Sequence, residues 1–265
     1  MPFAEVADHR VYYEERGSGD PVLLISGLAA DHTAWAQQTA FLERRYRVIV
    51  FDNPGIGRTE GPRGPYSTRQ LAGVAAGLLR HLGLDHAHVV GASLGGAVAQ
   101  QLALERPELV RSLSLHGTWA RSDRYLQALM RSWQAAARVL SRLDLCRQLW
   151  LFTFTVWWFN DRPEALEELE RDVAADPGLQ RPDQFCDQVE ACLAHDVLDR
   201  LGEIEAPTYL SVGDRDILTP AHHAYAIKQR LSSARLRVWQ KMGHAPFWEI
   251  PDEFNARQLE FLQAH

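Results

Sequence analysis

A chain of 265 residues, 46% hydrophobic and 23% charged, is long enough for one large domain with an insertion and can bury a substantial core. Its net charge of −6 and pI near 6.0 offer no basic field, so nucleic acid is excluded as an expected partner. Residues 1–17 lack the basic-then-apolar order of a secretory leader, and a cytoplasmic location is expected. Three cysteines, Cys146, Cys186 and Cys192, cannot all pair with one another and are expected to be reduced.

In chain order, residues 1–17 alternate charged and apolar positions and read as a pair of strands. The run Pro21-Val22-Leu23-Leu24-Ile25 predicts a buried strand that enters the turn Ser26-Gly27-Leu28. Residues 46–52 predict another strand, followed by the glycine-rich loop Asp52-Asn53-Pro54-Gly55-Ile56-Gly57-Arg58-Thr59. A dinucleotide-binding G-x-G-x-x-G is excluded there, because the third glycine, Gly61, comes one position too late. A helix is predicted over 68–84, a strand over 88–92, a helix over 95–105 and a strand over 109–115. Further strands are predicted over 207–212 and up to Lys241, with helices over 221–231 and 251–263. Repeated strand–helix alternation predicts an α/β fold with a mainly parallel sheet covered on both faces. Between Trp119 and about Leu201 the strand signals stop and apolar residues recur at helical spacing.

Chemistry concentrates at Gly91-Ala92-Ser93-Leu94-Gly95-Gly96, where a strand passes directly into a helix. A serine at such a turn is forced into a strained conformation that pushes its hydroxyl outward, and small residues two positions to either side avoid a clash. The Leu94 N–H then sits at a helix N-terminus, where it could stabilise an oxyanion. A serine hydroxyl needs a base, and the base an orienting acid. Asp216, after the strand at 207–212, and His244, after the strand ending at Lys241, follow in the order Ser–Asp–His.

With these residues the chain resembles the α/β-hydrolase superfamily over nearly its whole length. The resemblance implies an eight-stranded sheet, with residues 1–118 and 203–265 as core and 119–202 as a helical cap. The family's G-x-x-D-x-x-x-P acid loop falls on Gly213, Asp216 and Pro220, which makes Asp214 a turn or surface residue. The terminal Gly-His pair falls on Gly243-His244, and the second oxyanion donor on the Leu28 N–H. Relatives commonly carry His-Gly where this chain has Ser26-Gly27. Asp52 is expected to pin its loop.

The helical segment carries the aromatic run from Leu149 to Phe159, too short to span a bilayer. Its aromatics either glue the cap to the core or line an apolar acyl or aryl pocket. Pocket candidates are Trp35, Arg58, His116, Trp133, Phe154, Trp157 and Trp158. His32 is expected near the mouth, and His222-His223 as a surface pair. No H-E-x-x-H or Cys/His pattern occurs, so neither a metal nor a cofactor is expected.

The expected activity is acyl transfer through an acyl-enzyme. The substrate would be a small, largely apolar carboxylic ester or lactone, and the likeness is greatest to the branch with 3-oxoadipate enol-lactonases, aminoacrylate-type hydrolases and small carboxylesterases. Two alternatives stay open: carbon–carbon bond hydrolysis of ring-cleavage products, and a small-molecule receptor with residual hydrolysis. No membrane partner is expected, and oligomeric state is not readable.

Overall fold

The computed structural model of the chain describes residues 3–176 and 179–265. Positions 1 and 2 of the expected N-terminal strand pair lie outside the described residues. The strands are β1 (Phe3–Val6), β2 (His9–Arg16), β3 (Pro21–Ile25), β4 (Arg47–Phe51), β5 (Ala87–Ala92), β6 (Val110–His116), β7 (Thr208–Gly213) and β8 (Arg235–Trp239). They form one eight-stranded sheet in the order β1-β2-β4-β3-β5-β6-β7-β8. β1 and β2 are antiparallel at one edge, and every pairing from β4 to β8 is parallel.

The helices are α1 (Ala36–Leu42), α2 (Thr68–His81), α3 (Leu94–Glu105), α4 (Arg124–Ala137), α5 (Arg142–Thr153), α6 (Val156–Asp161), α7 (Pro163–Ala175), α8 (Pro182–Ala194), α9 (His222–Arg230), α10 (Pro246–Glu249) and α11 (Pro251–Gln263). Successive strand side chains point to opposite faces, so a sheet covered on both sides needs continuous apolar runs. In β3, Val22 and Leu24 join Trp35, Leu42 and Leu262 on the side of α1 and α11. Leu23 and Ile25 join Leu71, Leu78, Leu94 and Val98 on the side of α2 and α3. Burying each such side chain contributes ~1.5–3 kcal/mol.

Local chemistry sets the helix ends. Ser67 caps α2 through a reciprocal pair with Gln70, the Ser67 N–H donating to Gln70 Oε1 at 2.9 Å. The helix was expected to reach residue 84 but stops at His81, because Gly83 adopts φ +67° and turns the chain away.

Helices α4 to α8 all lie between β6 and β7. Their segment leaves and rejoins the sheet through a narrow antiparallel neck: Val197 N–H donates to Ala120 O at 2.8 Å, and Ser122 N–H to His195 O at 3.1 Å. Among the described residues, no helix is long and apolar enough to cross a membrane.

Candidate active site

Ser93 occupies the junction of β5 and α3 at φ +55° and ψ −122°, a conformation an L-residue holds only when its surroundings impose it. Its N–H donates to His116 O at 2.9 Å, and its carbonyl accepts from Gly96 N, Ala97 N and Thr118 Oγ1 at 3.0, 3.1 and 2.8 Å. The flanking glycines are needed for separate reasons. A Cβ on Gly91 would run into the Gly95 carbonyl, whereas one on Gly95 would run into the carbonyls of Ile25 and Ser26 at the end of β3.

Asp216, buried after β7, is saturated with donors. Oδ1 accepts from Leu218 N at 2.9 Å and Thr219 N at 2.8 Å, while Oδ2 accepts from Thr219 Oγ1 at 2.8 Å. His244 Nδ1 lies 2.9 Å from the same Oδ2. This leaves His244 Nε2 as the nitrogen free for proton transfer, and His244 and Ser93 border one cavity. No hydrogen bond joins Ser93 Oγ to the imidazole, a contact that commonly tightens only when substrate is bound. Asp214 faces elsewhere, accepting from Lys241 N at 2.6 Å.

Two features of this arrangement escaped the sequence reading. Gly117 has φ +50°, and a Cβ on it would sit 3.0 Å from His244 Nδ1, so the imidazole packs directly on the backbone after β6. Glu249, buried in α10, accepts from Thr155 N at 2.7 Å, Thr155 Oγ1 at 2.8 Å and Gly243 N at 2.6 Å. A carboxylate six residues after a glycine carries no sequence signal of that kind.

Around the turn after β3, Ser26, at the position where relatives commonly carry histidine, donates its Oγ proton to Asp31 O at 2.8 Å. A Cβ on Gly27 would lie 3.2 Å from Ser93 Cβ and 3.3 Å from the Ala92 carbonyl oxygen, so this turn packs directly against Ser93. Among the described residues, the N–H groups of Leu28 and Leu94 have no acceptor. Gln188 of α8, also unforeseen, bonds to Pro54 O at 2.9 Å and reaches Ala29 N at 3.4 Å, joining the helical segment to both loops.

The cavity over Ser93 has a volume of about 550 Å³. Trp35, Arg58 and Trp133 line it, together with Met130, Leu149, Trp150, Phe247 and Trp248. Trp35 stacks on Phe247 with ring centroids 4.9 Å apart. Arg58 is occupied at the mouth, its Nη1 donating to Tyr12 OH at 2.7 Å. Cys146, distant from Ser93 in sequence, also reaches the wall, and all three cysteines are free thiols.

Four expected wall residues lie elsewhere. His116 points to the α11 face, held by Ser211 Oγ at 2.7 Å and Gln258 Oε1 at 3.0 Å, and burial pushes its pKa down to about 3. Phe154 and Trp158 stack on each other at 3.9 Å and with Trp248 form a separate apolar cluster. Trp157 is 48% exposed beside Arg215. In α5, Cys146, Leu149, Trp150 and Thr153 border the cavity and share one helical face, whereas Phe154 follows the end of that helix, Trp157 and Trp158 belong to α6, and His116 ends β6.

At the mouth, buried Asp52 pins its loop by accepting from Arg58 N at 2.8 Å and from His32 N at 2.9 Å. His32 Nδ1 stands 2.7 Å from Asp52 Oδ1. Burial lowers the imidazole pKa, but the hydrogen bond and charge of Asp52 outweigh it, and the net shift is upward.

This sheet order and strand–turn–helix serine define the chain's class. Residues 20–251 match the model of the alpha/beta hydrolase fold, and the chain belongs to that family and is a hydrolase. Among its relatives is RutD of Azorhizobium caulinodans, a protein named as a carbamate hydrolase, 33% identical with 98% of each chain covered. A 2-hydroxy-6-oxo-6-phenylhexa-2,4-dienoate hydrolase of Comamonas testosteroni is 27% identical, covering 98% of this chain and 93% of its own. The solved enol-lactonase of Burkholderia xenovorans superposes with a TM-score of 0.91 at 25% identity, covering 99% of this chain and 100% of that one.

Proposed function

We propose that the chain is a serine hydrolase that cleaves a carboxylic ester or lactone of a small, largely apolar substrate through an acyl-enzyme. The observation that carries this reading is the Asp216–His244 pair at 2.9 Å bordering the same apolar cavity as Ser93 in its strained turn. Ser93 Oγ attacks the carbonyl carbon while His244 Nε2 takes its proton, and Asp216 stabilises the imidazolium. The Leu28 and Leu94 N–H groups hold the oxyanion, each worth ~10²–10³ in turnover. His244 then returns the proton to the leaving oxygen. It next activates water, which releases the acid and restores Ser93.

Residues 119–202 act as the cap that closes the cavity over the acyl group. A cavity of about 550 Å³ suits an acyl or aryl group of many atoms. Carbamate cleavage is the second reading, favoured by the 33% identity to RutD, and the same machinery would serve it. Carbon–carbon hydrolysis is less well supported, since Ala92 and Ala245 stand where that branch carries asparagine and tryptophan.

The test is a panel of esters, lactones and carbamates graded in acyl size, run beside Ser93→Ala. Sustained turnover that favours larger apolar acyl groups and vanishes in Ser93→Ala is expected. A burst of about one equivalent followed by silence would instead make the protein a receptor. Preference for carbamates over matched esters would install the second reading.

A further inference from the structure

Asp123, His222 and His223 meet at a point that acyl transfer leaves unused. Asp123 caps α4, its Oδ1 accepting from Leu126 N at 2.8 Å, while its Oδ2 faces α9. There it lies 2.9 Å from His222 Nε2 and 3.4 Å from His223 Nε2. Consecutive helical residues normally project ~100° apart. These two rings nevertheless stand 4.1 Å apart with planes inclined at 35°, both turned to one carboxylate oxygen. The expectation of a surface pair holds only for His222. His223 is 5% exposed, and its Nε2 is buried without a hydrogen-bond partner. Sealing such an atom from water with nothing to replace the lost hydrogen bond is unfavourable unless a ligand completes it.

We propose that Asp123 Oδ2, His222 Nε2 and His223 Nε2 bind a divalent transition cation such as Zn²⁺, outside the catalytic cavity. Imidazole nitrogen and carboxylate oxygen are the donors this ion takes, at ~2.0–2.2 Å. Donors at that radius stand ~2.8–3.6 Å apart for ligand angles between right and tetrahedral. The two measured separations, 2.9 and 3.4 Å, fall within that interval, and the three atoms lie within 4.8 Å of one another. Ligation through Nε2 requires each imidazole to carry its proton on Nδ1.

No H-E-x-x-H or Cys/His pattern marks this point in the sequence, since the histidines adjoin one another and their carboxylate is 99 positions away. The cation would clamp two elements distant in sequence. Asp123 opens the first helix of the insertion, and His223, whose N–H donates to Pro220 O at 3.0 Å, follows the loop that carries Asp216. Tyr125 OH already donates to Ile217 O at 2.6 Å across the same junction. The other grouping of this kind among the described residues, Asp31, His32 and Asp52, has its central carboxylate committed to the Arg58 and His32 amides and serves as a control.

The full tag-free chain, stripped with chelator, is titrated with Zn²⁺ by calorimetry and by thermal melting. One equivalent should bind, with the melting temperature raised by roughly 5 °C at 100-fold excess over Kd and restored by chelator. Co²⁺ should bind at the same site and give ligand-field absorption. His222→Ala, at an exposed side chain, and Asp123→Asn, which keeps the α4 cap, should each weaken binding by at least ~10–100-fold. His32→Gln and Ser93→Ala should leave it unchanged. Binding of less than one equivalent, equal affinity in His222→Ala, or loss of binding in His32→Gln would overturn the assignment.

Discussion

The N–H of His244 donates to the carbonyl oxygen of Thr153 at 2.9 Å, so the imidazole is suspended from the last residue of α5 as well as from the sheet. Glu249 reinforces the same junction through Thr155 and Gly243. The helical segment therefore takes part in placing His244, the base of the proposed reaction, besides walling the cavity.

Replacing Glu249 tests that coupling. Glu249→Gln keeps the size of the side chain but turns an amide NH₂ toward one of three donors, breaking at least one buried bond. A destabilisation of about 1–3 kcal/mol is expected. A drop in kcat that exceeds any change in KM should accompany it, because Gly243 precedes His244. Denaturant unfolding and steady-state kinetics read the two effects separately.

Ser93 stores backbone strain that glycine would not. Ser93→Gly and Ser93→Ala should both lose ~10⁴-fold or more in turnover. The glycine variant should nevertheless be the more stable of the two by about 1 kcal/mol, since only it adopts φ +55° freely. Equal melting temperatures for the two variants would contradict this account.

A methyl group at position 117 should disturb His244, the proposed base, without touching substrate. Gly117→Ala puts a Cβ 3.0 Å from His244 Nδ1 and forces alanine to φ +50°. A displaced imidazole costs on the order of 10²-fold in rate. The pH–rate profile should keep its shape while its plateau falls.

Aromatic residues on and off the cavity wall should separate cleanly. Trp150→Ala removes a wall residue and should raise KM for long acyl substrates by ~10-fold, with less effect on short ones. Trp157→Ala, at an exposed ring outside the cavity, should change neither. A KM effect at Trp157 alone would move the acyl subsite.

Acid should unfold the protein through histidines that are buried neutral. Burial lowers His88, His195 and His223 to about 4 and His116 to about 3, against an ordinary value of 6.5. Between pH 6.5 and about 4 the unfolded chain binds more protons. Stability is therefore complete above 6.5 and falls as pH drops, by up to about 1.4 kcal/mol per pH unit for each histidine. His32 runs the other way: its pKa is raised, so its contribution is full below 6.5 and fades as pH rises through its folded value. Urea unfolding at pH 7, 6 and 5 should show the decline. His88→Asn, which can keep an acceptor toward Ser112, should flatten the slope by about one proton.

What the amino-acid order determined by itself is local or periodic. Apolar runs such as Val22 to Ile25 announce strands buried on both faces, and small residues around Ser93 announce a turn whose sterics lie within a few residues. The order of Ser93, Asp216 and His244 along the chain was equally readable, because each follows the end of a strand and parallel strands deliver their ends to one edge of the sheet. Tertiary packing alone decided which face of α5 meets the cavity. It sent His116 to Gln258, drew Glu249 onto Thr155 and brought Asp123 to two histidines. Those contacts join residues tens of positions apart, and their partners depend on helix phase and docking, to which neither local propensity nor hydrophobic period is sensitive.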